Sequence, residues 1–337
     1  MLEIAKKRKT RLIIYTSFLS LFLFIAFLTS LMIGAYPLSP IEVINALFFQ
    51  NNSVVNTIVN NYRLPRALSA IITGASLGIA GGVIQSLTRN PLADPYITGM
   101  SSGAALGAAI AFILPFVSIF MVPFFAFIGG LTSIFLTIFL TKISKAGNIG
   151  FILAGIAIGT IFSSMLMLIL TLAAEKAHGI LYWIYGSFST AKWSEIYVIS
   201  PIVIPSCIFL LINARDLNIL LLGEEHARQL GINAKKLWNL MLLFSSLSVS
   251  TCVAFSGIIG FIGLVSPHIV RLLISSDNRF VLPLAGLTGA LLLLLSDNIV
   301  KSPLNPLGEL PVGVITSMMG APFFIYLLLK RGEKYSM

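Results

Sequence analysis

Leu12 to Gly34 reads LIIYTSFLSLFLFIAFLTSLMIG, without a single charged side chain. A helix needs about 20 mostly apolar residues to cross a bilayer, and this stretch supplies them. The residues before it, MLEIAKKRKTR, are strongly basic. A cleaved signal peptide would show a shorter apolar core and a small-residue cleavage site. The stretch therefore reads as a retained first membrane helix.

The rest of the chain agrees with that opening. Of 337 residues, 57% are hydrophobic and 10% charged. A soluble domain is about a quarter charged, so these charges are too few to cover a watery surface. The fold class is an all-α polytopic membrane protein, read as one transmembrane domain over 1–337. Candidate spans are 12–34, 65–87, 96–114, 118–140, 149–172, 196–213, 237–258, 262–274, 281–300 and 311–329, about ten transmembrane helices in all. The span 262–274 is too short to cross alone at about 1.5 Å per residue and is expected to be a half-length helix.

Net charge is +10. Ten spans with both termini cytoplasmic leave Arg63, Arg66, Lys176, Lys192 and Lys301 outside and put the other Lys and Arg inside. That is the cytoplasmic bias expected of a membrane protein, so the basic charge needs no nucleic acid to explain it. The same topology places LLGEEHARQLGINAKK, Leu221 to Lys236, in the cytoplasm between the sixth and seventh spans. EEHARQLGI reads either as a short helix stopped at Gly231 or as a solvated loop. On the outer side, YPLSPIEVINALFFQNNSVVNTIVNNYRLPR has room for an interfacial amphipathic helix. The aromatic-rich run Glu175 to Glu195 suits the lining of an entrance.

Several chemistries are disfavoured. Gly99-Met-Ser-Ser-Gly103 fits G-x-S-x-G, but a nucleophile elbow needs a strand before it, and here a membrane helix begins. His178, His226 and His268 fall on different sides and cannot share one metal. No P-loop motif occurs, and the dipeptide Gly-Lys is absent, so any ATP must be hydrolysed by another polypeptide. No row of charges sits mid-membrane, which weighs against proton coupling. Cys207 and Cys252 lie in apolar runs and read as packing residues. Gly74, Gly78 and Gly82, with the pairs Gly103/Gly107 and Gly155/Gly159, are spaced by four, which lets helix backbones approach closely. Prolines bracket Asp94 in LTRNPLADPYITG, a rigid turn, and IGFIGLVSPHIVRLL reads as a broken helix.

Six fragments in order resemble the FecCD-type permeases of ABC importers for iron–siderophore complexes, haem and cobalamin. They are Arg63-Leu-Pro-Arg66, QSLTRNPLADPYITGMSSGAALGA, YWIYGSFSTAKW, LGEEHARQLGI, GFIGLVSPHIVR and GELPVGVITSMMGAPFFIYLL, and they cover nearly the whole chain. The resemblance implies a cell-membrane (plasma or inner membrane) subunit paired with a second copy or a close homologue. It further implies two ABC ATPase subunits that use ATP and Mg, and an external substrate-binding protein. No cofactor is then bound by this chain, and it is no enzyme. The cytoplasmic segment 215–236 would be the coupling element, with Gly223, Glu224, Glu225, Ala227, Arg228, Leu230 and Gly231 against the ATPase. Arg63, Arg66 and Lys301 would receive acidic groups of the binding protein, although Arg63 and Arg66 also suit plain headgroup anchoring. Ser163, Ser164, Met167, Thr316 and Met319, on the fifth and tenth spans, would line the pathway. The expected cargo is a ferric siderophore, then haem, cobalamin or molybdate. An ion-coupled secondary transporter and an intramembrane hydrolase using Ser101 are the rival readings.

Overall fold

The computed structural model describes residues 2–49, 54–115, 118, 120–173, 175–302 and 310–335. Among them there are helices and no strands. In order these are α1 (Leu2–Met32), α2 (Pro40–Phe48), α3 (Val54–Thr57), a π-helical stretch (Ile58–Arg63) and α4 (Leu64–Thr88). A 3-10 turn (Pro95–Thr98) leads into α5 (Met100–Ile113), then α6 (Met121–Ser144), α7 (Gly147–Leu172), α8 (Ala177–Ile184) and α9 (Trp193–Ile212). After these come α10 (Ala214–Leu221), α11 (Glu224–Gln229), α12 (Ala234–Ser256), α13 (Ile262–Leu273), α14 (Asn278–Val300) and α15 (Val312–Tyr335). Seven helices are long and apolar enough to cross a membrane, and α5, α13 and the first part of α15 are shorter apolar helices. Together they account for the spans expected from the sequence.

The bundle is layered. The spanning windows of α4, α14 and α12 are 78%, 72% and 67% buried within the chain, against 11% for α1 and 17% for α7. Glycine makes the centre dense. A Cβ on Gly74 or Gly78 would collide with the α14 backbone at Gly289 or Ala285, and one on Gly103 or Gly107 with α6 at Gly129 or Phe125. The fourfold glycine spacing thus lets helix axes approach until backbones touch, which in lipid replaces hydrophobic burial as the adhesive.

Two helices start inside the bundle. The expected span 96–114 is corrected: its first residues form the 3-10 turn, and Gly99, at φ +75°, breaks the chain before α5. That backbone geometry suits glycine and ends the turn. The expected half-length helix is found as α13, entered through Phe261 at φ +68°. The two breaks meet. Tyr96 Oη donates to the Ile259 carbonyl at 3.2 Å, and a Cβ on Gly263 would lie 2.8 Å from Pro95 and 3.1 Å from the Leu77 carbonyl. Leu77 lies about halfway along α4, so irregular backbone sits at mid-depth, sheltered by protein as it must be in lipid.

The segment between the first two spans does fold into a helix, α2. Ser39 and Glu42 close a capping box at its start, and Val43 and Ala46 face inward while Ile41, Ile44 and Phe48 are exposed.

Candidate translocation and coupling sites

One end of the bundle, here the upper end, carries Arg63, Arg66 and Lys301. All three are buried, at 7%, 9% and 6% exposure. Arg66 grips Asp297 of α14 with Nη2 to Oδ1 at 2.9 Å and Nε to both oxygens at 3.0 and 3.1 Å. Lys301 Nζ lies 3.6 Å from the same carboxylate and donates to the Ser30 carbonyl at 2.8 Å. Arg63 donates to the carbonyls of Leu31 and Met32, at 2.8 and 2.9 Å, and of Tyr36. Asn298 adds a bond to the Ala26 carbonyl at 3.0 Å. The last carbonyls of α1 have no intrahelical partners, and cations at that end also meet the negative pole of the helix. The three cations expected at the outer side are thus buried and paired within the chain. These side chains pin α1 and α4 to α14, because an unpaired charge at this depth is more costly than an internal partner.

The pathway residues divide between two cavities. Ser163, Ser164 and Met167 lie with Ser102, Gly159 and Thr160 on an open groove of about 510 Å³ along α7. Its hydroxyls are satisfied locally. Thr160 and Ser164 donate to the carbonyls four residues earlier at 2.9 Å, and Ser163 to Ser102 Oγ at 3.0 Å. A guest in the groove meets spent donors and flexible thioether, a surface suited to passage and not to tight capture. Thr316 and Met319 instead line an apolar pocket of about 160 Å³ between α13, α14 and α15, where Thr316 is buried and bonded to the Gly313 carbonyl. The grouping of all five residues on one surface is not found within one chain.

The aromatic run 175–195 borders a third cavity of about 600 Å³, with Tyr182, Trp183, His178, Lys192 and Glu195 on its wall. The G-x-S-x-G match falls on the break before α5, a 3-10-to-α junction without the strand a nucleophile elbow requires. Among the described residues no cluster of potential metal ligands occurs.

At the lower end the segment 215–236 runs through α10 and α11 into the start of α12. Glycines at φ +115° (Gly223) and +78° (Gly231) bracket α11, and a Cβ on either would meet nothing within 4 Å. Ala227 is fully buried beneath α11, whereas Leu222, Glu225, Arg228 and Leu230 are exposed. The result is a small rigid knob with apolar and charged tips. Just behind it, Asp277 caps α14, and the Arg279 guanidinium beside it holds its carboxyl down to about 2.

A multi-pass bundle with an open polar groove on one flank and a helical knob at one end defines a membrane transport subunit. The chain belongs to the FecCD transport family, whose model matches residues 22–330. It is 37% identical to the hemin transport system permease protein HmuU of Yersinia pestis, over 95% of this chain and 96% of that one. It is 35% identical to the Fe(3+) dicitrate transport system permease protein FecC of Escherichia coli, over 89% and 91%. A solved inward-facing transporter, assigned to the metal-chelate ABC type, superposes with a TM-score of 0.84 at 32% identity, covering 94% of this chain and 99% of that one. The protein is thus a multi-pass membrane permease of the ABC transporter class, a family in which ATP hydrolysis belongs to separate subunits.

Proposed function

We propose that this chain is the membrane subunit of an ATP-driven importer that moves a metal chelate, a ferric siderophore first, into the cytoplasm. The observation that carries the reading is the groove along α7. It has a volume of about 510 Å³, is lined by hydroxyls, glycines, Ile156 and Met167, and runs along a helix whose spanning window is only 17% buried by its own chain. A second copy, or a close homologue, packed on that flank would close two grooves into one passage. The iron cargoes named for HmuU and FecC fit an iron chelate as the first cargo to test.

In this reading the upper end faces outward and receives a substrate-binding protein, and both termini lie in the cytoplasm. The α10–α11 knob, with Gly223, Glu224, Glu225, Ala227, Arg228, Leu230 and Gly231, seats in an ATPase subunit that binds ATP and Mg. The push returned through it alternately opens the two ends of the passage. Docking rests on the rim around the buried Arg63, Arg66 and Lys301, and their excess positive charge steers acidic partners. No covalent chemistry is assigned to this chain.

Purification of the tagged native complex in mild detergent, with mass spectrometry of what accompanies it, tests the proposal. An ATPase and a binding protein carrying an iron chelate are the expected companions. A permease that purifies alone and transports in ATP-free vesicles under an ion gradient would overturn it in favour of a secondary transporter.

A further inference from the structure

The polar groups around the start of α14 form one connected set. Asn218, on α10, donates from Nδ2 to Asp277 Oδ1 at 2.6 Å and accepts the Asn278 backbone N–H at 2.9 Å. The Asn278 side chain turns away from its own helix. Its Oδ1 lies 3.0 Å from Ser86 Oγ of α4 and accepts from Arg271 Nη2 of α13 at 3.1 Å. Arg271 Nη2 also reaches Ser86 Oγ at 3.0 Å and the Gly82 carbonyl at 3.3 Å, while Nη1 reaches the Ser276 carbonyl at 3.2 Å. A second tie runs nearby, where Arg89 at the end of α4 donates to the Leu220 carbonyl of α10 at 3.3 Å.

Helix capping alone does not require this. Asp277 already caps α14 through the Arg279 N–H. Asn278 is fully buried, and its Nδ2 has no hydrogen-bond partner among the described residues, so only its oxygen is used. A buried amide with a guanidinium on one side and a hydroxyl on the other is a junction between three helices. Through Asn218 the knob-bearing α10 becomes the fourth member.

The geometry points to Asn218 and Asn278 as positioning residues that lock α10 to α4, α13 and α14, so that a push on the α10–α11 knob moves those core helices as one body past α7. This rests on the importer reading and specifies its transmission. The bonds to Asp277 and from Arg271 are part-buried and charge-assisted, which makes them stronger than neutral hydrogen bonds. Helix α7 contributes nothing to the set, which leaves the groove wall free to stay behind.

The test uses the complete transporter with its ATPase in lipid nanodiscs. Spin labels are placed on exposed positions in two pairs, Arg215 with Ile299 (α10 to α14) and Ile299 with Leu168 (α14 to α7). ATP followed by vanadate should leave the first distance fixed and shift the second. In Asn278→Ala and Asn218→Ala, ATP hydrolysis should continue. The first distance should broaden, and the fraction of molecules showing the second shift should fall about tenfold, within the range of ordinary site-to-site couplings. Asn278→Asp keeps the acceptor facing Arg271 and Ser86 and should restore the wild-type pattern. Normal distances and shifts in both alanine variants would overturn the relay and leave the importer intact. Absence of any nucleotide-driven shift in the wild-type complex would count against the importer reading itself.

Discussion

Helices α4 and α7 look alike in sequence and live differently. Both are long and apolar, and both carry glycines four residues apart. Yet the spanning window of α4 is 78% buried and that of α7 only 17%. Around α4, glycine backbones meet other backbones: Gly78 lies against Ala285 and Gly81 against Gly263. On α7, Gly155 packs against the Ile97 carbonyl, but a Cβ on Gly159 would sit 3.4 Å from Gly99, an ordinary contact. Thr160, Ser163, Ser164 and Met167 lie exposed along one face of α7, flanked by exposed aliphatic residues such as Ile156, Ile161 and Leu168. Small-residue spacing therefore marks a helix that can approach another. It does not say how many sides are approached. What separates the two is the second face: in α4 it packs against other helices, and in α7 it stays uncovered, with a line of hydroxyls and methionine among exposed aliphatic residues.

The largest effect should come from breaking the α4 side. Gly78→Val drives a branched side chain into the Ala285 backbone, which has no rotamer by which to yield. A cost above about 3 kcal/mol is expected, at the upper end of over-packing, with loss of folded protein in detergent. Gly159→Ala on α7 should leave the melting temperature nearly unchanged. Equal damage from both would erase the distinction between the helices.

Next is the charge that α4 hides and α7 lacks. Asp297→Ala removes the carboxylate that Arg66 and Lys301 share, a loss of about 3 kcal/mol, the low end for a broken buried pair because Lys301 keeps its bonds to Ser30. Thermal unfolding of the purified variant measures it. A shift near zero would mean that water reaches these cations freely and that the buried pairing adds no stability.

How much of this was legible follows from what each feature depends on. Bilayer thickness fixes the length of a span, so the long helices could be read from apolar runs such as 12–34 alone. The break in IGFIGLVSPHIVRLL was readable because glycine and proline announce it. The 3-10 turn before α5 was not, since Tyr96 to Thr98 are as compatible with one helical geometry as with another. Arg66 and Asp297 are 231 positions apart, and no local pattern links them. Asn218 and Asn278 carry no motif that marks them in the sequence. Their burial exists only once α4, α10, α13 and α14 have come together. The pathway residues of α7 are expected from the family resemblance, which points to the fifth span, and only their small, polar or flexible character is legible in the residues themselves. Thr316 satisfies its hydroxyl inside its own helix, a fate that composition does not distinguish from lining a channel.

The knob falls on the uncovered side of the comparison, with a smaller expected effect. Nothing crowds Gly231, so Gly231→Val suffers only from its positive φ, about 1–2 kcal/mol of local strain. Global stability should barely move, because α11 touches little of the core. ATP hydrolysed per chelate imported should rise in reconstituted vesicles. A wild-type ratio would mean that the shape of α11 is not what the ATPase grips.

The smallest effect on stability should come from the groove itself. Ser164 is exposed, and its hydroxyl only bonds back to Thr160, so Ser164→Trp removes no tertiary contact. Surface changes of this kind usually stay within about 0.5 kcal/mol. An indole in a groove of about 510 Å³ nevertheless takes up much of the width a bulky chelate needs. Import should fall steeply while folding, ATPase association and hydrolysis persist, a separation that no core substitution in α4 could give. Undiminished import in the Trp variant would move the passage off α7. The uncovered hydroxyl face would then be lipid-facing or a dimer contact, and the contrast between α4 and α7 would be one of packing alone.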